Sequence, residues 1–426
     1  MDKAARNRIR RVGLMAFSAL LMAYFFVYFH RMTGGAISET LESYYGVNAG
    51  AIGILSSAYL YAYTLMQIPS GIITDRFGPR KAATFFIAIL GIGSLVCAVS
   101  AFDGVRSFGM LVVGRALIGI GAAVISIPNM KIAVNWFRKD RFSTLTGISL
   151  MVGNLGAVFA AYPLVYAIDS IGLAETYVAL TILTAGITLA VWLLVRDRPS
   201  DIGLPDIYGE DEPGVRFSAK ESLKKVFSAG RGFWPAAVWI ALFYAAFTLW
   251  SGTYAGLYYS EFGLSSSDYS VPLTFVGIGM IFGAPIVGFV TDRFGLANRT
   301  VIAVMTALIC VLWLAICMSD EDAVTDMPLQ CGVNFAMGFL TSAFALVYGQ
   351  VKDHFPREMS GVATGSINFF PFMGGAVAAS LAGVLITDGS AEIYAAVWWW
   401  CLALCFVSLI SALFMSVPKK VTQETL

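Results

Sequence analysis

Charged residues are scarce in this chain. Asp, Glu, Lys and Arg together make up 13% of the 426 residues, whereas 58% are hydrophobic. Soluble domains carry about 25% charged residues, so the composition excludes an ordinary soluble protein and predicts one that lies in lipid. The first apolar run, Val12 to Tyr28, is followed by many similar runs. We therefore expect it to be a permanent membrane span and not a removable signal peptide.

Signs of enzyme or metal chemistry are also missing. The six cysteines all lie in apolar stretches, with no CxxC pair and no neighbouring His or carboxylate at metal-ligand spacing. The sequence contains no nucleophile–base pair, metal cluster or phosphate-cradling loop. It therefore predicts a protein that is not an enzyme, that has no metal or other cofactor, and that binds no nucleic acid.

Long apolar runs are abundant instead. A helix needs about 20 apolar residues to cross the hydrocarbon core, and the chain has twelve runs of this kind. They predict an all-α polytopic membrane protein with twelve transmembrane helices, at residues 12–36, 49–73, 82–102, 108–130, 143–167, 172–195, 233–258, 270–290, 300–318, 328–350, 361–386 and 393–416.

The positive charges are distributed unevenly between the loops. Of the 28 Lys and Arg residues, all except Arg31, Arg106 and Arg115 fall at the termini or in loops on one side of the predicted spans. Positive residues are retained in cytoplasmic loops, so we expect both termini to be cytoplasmic. The expected location is the cell (inner) membrane, in contact with membrane lipid.

The chain also contains an internal duplication. The segment Gly71-x-x-x-Asp75-Arg76-x-Gly78 is repeated in the second half as Gly288-x-x-x-Asp292-Arg293-x-Gly295. One long polar segment, residues 197–232, divides the predicted spans six and six. We therefore predict an amino-terminal six-helix bundle (1–196), a cytoplasmic linker (197–232) and a carboxy-terminal six-helix bundle (233–426). Because six spans intervene, the two copies have the same orientation in the membrane.

These motifs resemble those of a known family. With its basic tail Arg80-Lys81, the first copy is similar to the loop signature between spans 2 and 3 of the major facilitator superfamily. Leu111-x-x-x-Arg115-x-x-x-Gly119 looks like the family's signature in span 4. The resemblance covers nearly the whole chain. It implies two pseudo-symmetric six-helix bundles that rock around a midplane site and carry a solute by alternating access.

The resemblance also implies roles for individual residues. In the family, the loop stabilises the outward-open state and releases as the halves rock, and Arg115 is linked to the coupling of solute or proton to conformational change. Two structural alternatives stay open: the loop charges only set topology, or Arg115 only bonds helix-end carbonyls. The implied conformational gating residues are Gly71, Asp75, Arg76, Gly78, Arg80 and Lys81, with Asp292 and Arg293 from the less complete second copy.

A polar stripe runs along the first predicted span. Tyr24, Tyr28 and Arg31 are spaced so that they share one helix face. If the helix stops near Arg31, its guanidinium reaches the outer surface; if it continues to Ile37, the charge must face a cavity. His30 points about 100° away on the same helix. It is a candidate for proton coupling, with a packed interfacial histidine as the alternative.

No Asp or Glu lies deep within any predicted span. A cationic solute would require such a carboxylate, whereas Arg31 and Arg115 favour an anionic or zwitterionic solute that Arg can hold by two hydrogen bonds. Other polar residues could complete the site, although each alone is as well explained as a contact between helices. They are Tyr59, Tyr63, Gln67, Asn129, Asn154, Trp250, Tyr254, Asn334 and Asn368.

The leading hypothesis is a secondary transporter, active as a monomer, of a small polar metabolite such as an organic anion or an amino-acid-like or peptide-like solute, with or without a coupling proton. A proton-coupled exporter of hydrophobic compounds is the first alternative, but Gly153-Asn154-Leu155-Gly156 lacks the proline of the family's drug/proton antiporters. A membrane sensor on the same scaffold is the second. The sequence offers it no sizeable soluble domain through which to signal.

Overall fold

Helices make up almost all of the described chain. A computed structural model describes residues 3–138, 142–206, 219–352, 354–355, 359–386 and 390–416, and no β-strand occurs among them. The described residues of the first half form nine α-helices: α1 (Lys3–Ala36), α2 (Ser38–Tyr45), α3 (Ala49–Phe77), α4 (Pro79–Ser100), α5 (Phe108–Val124), α6 (Ser126–Trp136), α7 (Phe142–Phe159), α8 (Tyr162–Ile171) and α9 (Leu173–Leu194).

The second half follows a linker with the short helix α10 (Ala219–Phe227). Its first crossing is interrupted by one π-helical turn, Trp250–Tyr254. The α-helices of this half are α11 (Trp234–Leu249), α12 (Ala255–Ser260), α13 (Ser266–Arg293), α14 (Asn298–Cys317), α15 (Glu321–Thr325), α16 (Met327–Thr341), α17 (Phe344–Lys352), α18 (Ser360–Leu385) and α19 (Ala391–Phe414).

Twelve membrane crossings account for these helices. Eleven helical segments among the described residues are long and apolar enough to cross a bilayer, and the pair α7 and α8, bent by 42° at their junction, supplies the twelfth. The chain is thus a multi-pass membrane protein, and the predicted all-α fold with twelve spans is confirmed.

Several crossings are broken where the sequence predicts continuous helices. Residues 143–167 form α7 and α8, because Pro163 has no N–H to donate and begins a new helix after the junction at Ala160 and Ala161. Residues 328–350 are divided between α16 and α17. The predicted span 233–258 contains the π-helical turn, which holds one extra residue per turn.

The two halves pack in the same way. In the first half α3 contacts α5, α4 contacts α9, and α1 contacts α7. In the second half the equivalent crossings repeat these contacts, α13 with α16, α14 with α19, and α11 with α18. The halves meet where α3 packs against α18 and α7 against α13, while the end of α1 contacts the π-helical turn. Two pseudo-symmetric six-helix bundles result, and their interface forms the site.

Candidate functional site

A large cavity separates the two halves along their interface. It measures about 5140 Å³, including the solvent at its mouth. Gly78 of the first half, Asp197 of the linker and Gly349 and Thr364 of the second half line its rim, whereas Arg31 lines its deep end. The rim lies on the same face as the ends of α9 and α19, where Arg80, Arg196, Arg231 and Arg299 bond to the main chain; we call this the basic face.

The opposite end of the cavity is closed by glycines. A Cβ atom on Gly35 would lie 2.6 Å from the main-chain oxygen of Ser251, and one on Gly50 would lie 2.5 Å from that of Gly383. The main chains of the halves can approach so closely only because these residues lack side chains. The glycine seal comprises Gly35, Gly50, Gly53, Gly252 and Gly383. The cavity is therefore open towards the basic face and shut at the other end.

Arg31 lies at the deep end within a group of aromatic rings. Helix α1 continues to Ala36, so this residue stays inside the bundle. Its guanidinium carbon is 4.6 Å from the ring centroid of Tyr28, 5.1 Å from that of Tyr63 and 4.8 Å from that of Phe372. The Tyr244 hydroxyl is within hydrogen-bonding range of the same side chain. Rings from both halves thus hold the cation by cation–π contacts.

Polar groups continue from Arg31 towards the mouth. The hydroxyls of Tyr24 and Tyr28 lie 3.4 Å apart on α1. Asn368 on α18 donates a hydrogen bond to the side-chain oxygen of Gln67 on α3 (2.7 Å) and accepts one from the hydroxyl of Tyr348 (2.7 Å). These groups line the cavity together with Asn154. They offer both donors and acceptors to a hydroxylated solute.

Carboxylates are confined to the mouth of the cavity. The acids among its described lining residues are Asp197 and Asp201, both in the linker. Within the described part of the chain, neither Arg31 nor Arg115 forms an ion pair with a carboxylate, and the nearest groups that act on the charge of Arg31 are tyrosines. The deep end of the cavity is therefore electropositive.

Arg115 lies beside a second, much smaller pocket. The side chain is 2% exposed and donates a hydrogen bond through Nη1 to the main-chain oxygen of His30 (2.6 Å). The guanidinium carbon is 5.0 Å from the ring centroid of Tyr59. Arg115 and Tyr59 line a small space beyond Arg31 with a cavity volume of about 10 Å³. The structure thus gives Arg115 a main-chain contact in the interior of α1, and separates it from the main cavity.

His30 lies outside both spaces. It is fully buried and packs against the rings of Phe26 and Phe29. Both ring nitrogens lack hydrogen-bond partners among the described residues. The main-chain oxygen of His30 accepts from Arg115, so a positive charge on this imidazole would lie close to that guanidinium.

Four other residues considered from sequence also lie away from the main cavity. Asn129 donates to the hydroxyl of Ser149 (2.8 Å) and joins α6 to α7. Asn334 accepts from the indole N–H of Trp250 (2.9 Å), which is itself 1% exposed within an aromatic cluster. Tyr254 packs against Gly53 at the glycine seal. These side chains contact neighbouring helices, and the structure does not bring them together with Arg31 in the main cavity.

Three cavity residues were not anticipated. Tyr244, Tyr348 and Phe372 belong to the second half and surround Arg31 or bond Asn368. No charged residue lies next to any of them in the sequence. A tyrosine in an apolar run gives the same pattern whether it faces lipid, a neighbouring helix or a cavity. Their role follows only from the way in which the two halves meet.

The loop between α3 and α4 is held within the first half. Gly78 adopts φ +81° beside the carboxylate of Asp197. The backbone N–H of Arg80 donates to Asp197 Oδ1 (2.6 Å), and its side chain donates to the main-chain oxygen of Trp192 (2.9 Å). Gly71 lines the cavity, and Arg76, Lys81 and Arg293 are exposed. The side chains of Asp75 and Asp292 lie outside the described residues.

Two similar bundles around a cavity that is open at one end and sealed at the other define a membrane carrier fold. The sequence profile of the family described as Major Facilitator Superfamily matches residues 19–379 and 251–425 of the chain. The chain belongs to the major facilitator superfamily.

Individual relatives have low sequence identity to this chain. The D-galactonate transporter of Escherichia coli O6:H1 is 25% identical over 406 residues, which cover 88% of this chain and 90% of that protein. The membrane sensor protein UhpC of Salmonella typhimurium is 23% identical over 384 residues, 85% of this chain and 82% of the sensor. A solved bacterial homologue of the human lysosomal transporter Spinster, inward-facing and unoccupied, superposes with a TM-score of 0.76 at 14% identity, over 97% of this chain and 98% of that one.

Proposed function

We propose that the protein is a secondary transporter of a small hydroxylated organic acid, carried by alternating access through the central cavity. The observation that carries this proposal is the position of Arg31. It is a cation at the deep end of a cavity whose described acids lie only at the mouth. A carboxylate is the group that such an arginine binds with two parallel hydrogen bonds.

The remaining polar groups favour hydroxyls on the rest of the solute. Tyr24 and Tyr28 supply hydroxyls from α1, and Gln67 and Asn368 supply amides from α3 and α18. Such groups each donate and accept hydrogen bonds, as a polyol chain does. The similarity to the D-galactonate transporter supports a sugar acid. A hydrophobic solute would leave the unpartnered Nε of Arg31 and amide nitrogen of Gln67 without an acceptor, which disfavours the exporter alternative.

The proposed orientation places the basic face in the cytoplasm, because positive loops are retained there. Both termini are then cytoplasmic, and the structure represents an inward-open carrier. Residues 1–196 and 233–426 move as two bundles joined by the 197–232 linker. Rocking would part the glycine seal and close the rim of the cavity, which would expose Arg31 to the other side.

The motif loop is proposed to act at this rim. In the inward-open structure Arg80 bonds Trp192 and the linker, all within the first half. Closure of the rim brings the second half towards this loop. The gating role implied for Gly71, Asp75, Arg76, Gly78, Arg80 and Lys81, and for Asp292 and Arg293 in the second copy, belongs to that outward-open state.

Uptake of radiolabelled D-galactonate into proteoliposomes tests the proposal. Wild-type protein should show saturable uptake, and Arg31→Ala should abolish it because the carboxylate loses its cation. Arg106→Ala is the matched control, because Arg106 is exposed on the face opposite the basic face. Its guanidinium carbon lies 4.4 Å from the ring centroid of Tyr44. Uptake that survives Arg31→Ala would reject the proposed site. Repeating the assay with an imposed pH gradient distinguishes proton-coupled transport from uniport.

A sensor is the second candidate, because the similarity to the sensor UhpC covers most of the chain. A sensor would bind the organic acid through Arg31 without moving it. Equilibrium binding to purified protein together with an absence of flux would therefore favour the sensor over the transporter.

A further inference from the structure

The small pocket beyond Arg31 has its own set of lining residues. Arg115, Ser56 and Tyr59 come from the first half, and Thr248 and Gly252 come from the second. Arg31, Met32, Tyr244 and Phe247 line both this pocket and the main cavity. These four side chains therefore form the wall between the two spaces. Gly252 belongs to the glycine seal, so the pocket lies between the main cavity and the seal.

Three hydrogen-bond donors at this pocket have no acceptor. The Nε atoms of Arg31 and Arg115 and the hydroxyl of Tyr59 are buried and unpartnered among the described residues. Arginine nitrogens can only donate, and a buried donor left without an acceptor is costly. The two guanidiniums also lack a carboxylate partner in the described chain. These three donors therefore lack an acceptor, and no described carboxylate neutralises the two guanidiniums.

We propose that this pocket binds a small inorganic anion of halide size, such as chloride. An anion would accept from all three donors and would neutralise part of the buried positive charge, whereas a water molecule would supply no charge. A halide needs room for one atom. The carried organic acid would enter only by displacing the wall formed by Arg31, Met32, Tyr244 and Phe247. The inference therefore stands whatever solute the main cavity carries.

The position of the pocket gives the anion a conformational effect. Its donors belong to the first half, but Thr248 and Gly252 close it from the second half. Parting the glycine seal would open the pocket and remove that closure. Because the anion binds the sealed conformation more tightly, it must also stabilise that conformation. We expect halide to favour the state that is open to the basic face.

Thermal unfolding of the purified full-length protein, without any organic acid, tests the proposal. Chloride or bromide replaces HEPES anion at constant ionic strength. Wild-type protein should be stabilised saturably by either halide. Tyr59→Phe removes one donor to a charged acceptor, which contributes about 1.5–3 kcal/mol, so halide affinity should fall about tenfold or more. Tyr61→Phe is the control, since Tyr61 lies on the same helix but contacts Ser380 across the exposed α3–α18 contact.

A bromide-soaked crystal supplies an independent measurement, with anomalous density expected between Arg31, Arg115 and Tyr59. The proposal is overturned if halide gives no stabilisation beyond that of HEPES, or if Tyr59→Phe responds as wild type does. Stabilisation by formate without stabilisation by chloride would also overturn it and assign the pocket to a carboxylate. If the wild-type protein shows no D-galactonate uptake but is still stabilised by halide, only the proposed transport function is rejected.

Discussion

Asn368 donates a hydrogen bond to Gln67 across the interface between the two halves, with 2.7 Å between the nitrogen and the oxygen. The same amide accepts a hydrogen bond from Tyr348. Asn368 thus joins α3 to α18 and both helices to α17, inside the cavity that we assign to the solute. A change at this residue should affect solute contact and the relative position of the halves together.

Asn368→Ala should lower the initial rate of D-galactonate uptake by up to about thirtyfold, because two hydrogen bonds of roughly 1 kcal/mol each are lost. The rate is measured in proteoliposomes over a range of solute concentrations. Ser380→Ala is the control, since it removes a 3.3 Å hydrogen bond to Tyr61 on the exposed part of the same helix pair and a bond to the main chain of its own helix. Equal losses in the two variants would show that the effect comes from helix packing and not from the cavity.

Gly35→Val should prevent the glycine seal from closing. A Cβ atom at this position would lie 2.6 Å from the oxygen of Ser251 and 2.7 Å from the carbonyl carbon of Gly252, neither of which is a flexible side chain. Spin labels at the exposed residues Ser43 and Ser265, with the native cysteines replaced, should report a longer distance, and uptake should fall at least tenfold.

Gly186→Val provides the comparison for this experiment. Gly186 lies on α9 with no neighbouring atom within 4 Å of an added Cβ. The Gly186→Val substitution should leave both the distance between the labels and the rate of uptake close to the wild-type values. A Gly35→Val protein whose labels keep the wild-type distance would show that the main-chain contact does not control closure.

Acid should favour the sealed conformation. Burial raises the pKa of Glu42, and the carboxylates of Glu261 in the second half and Glu39 in the first raise it further. The hydroxyl of Tyr394 faces the same group. When the halves part on that side, the pKa of Glu42 returns towards its ordinary value. The sealed state therefore binds protons more tightly, and acid stabilises it.

The fraction of protein in the sealed conformation should therefore fall as the pH rises from the ordinary pKa of glutamate to the raised pKa of Glu42. It should stay lower at higher pH. The ratio of sealed to open protein should change by up to about fivefold, because interactions between half-exposed charges are weak. The labels at Ser43 and Ser265 measure this ratio against pH. Glu42→Gln should flatten the curve, and Glu392→Gln is the comparison at another outer acid. An unchanged slope in Glu42→Gln would assign the pH response to other groups.

Asp197→Ala should destabilise the first half. Asp197 accepts the backbone N–H of Arg80 at the first turn of α4, where a carboxylate interacts favourably with unpaired N–H groups. Loss of such a cap costs about 1 kcal/mol, which corresponds to a decrease of about 2 °C in the unfolding midpoint. Asp206→Ala is the control, because Asp206 bonds only Ser200 within the linker. Midpoints that fall equally would indicate a general effect of linker charge.

The sequence identifies part of the site because some polar residues stand in otherwise apolar spans. Tyr24, Tyr28 and Arg31 are polar groups at helical spacing in an apolar span, and the structure places all three in one cavity. Asn129 and Asn334 show the same pattern, yet they bond neighbouring helices within their own half. The spacing of residues shows which helix face is polar, but not whether that face meets another helix or a cavity.

The fold is easier to predict than the site because hydrophobic length and charge asymmetry are local to each span. The twelve crossings follow from them, but the π-helical turn at Trp250–Tyr254 does not, since its residues have ordinary helix-compatible hydrophobicity. The small pocket likewise depends on side chains of separate helices, such as Arg115 and Thr248. Such contacts require the relative position of elements that are distant in the chain.

Closure at the glycine seal and recognition of the solute depend on different kinds of atoms. The closing surfaces of the seal are main-chain atoms, such as those of Gly35 against Ser251 and Gly50 against Gly383, whereas solute recognition is proposed to use side chains such as Arg31 and Asn368. Mutations in the cavity can therefore change what is carried without altering how the far end shuts. Divergence of specificity within such a scaffold needs no compensating change in the closing mechanism.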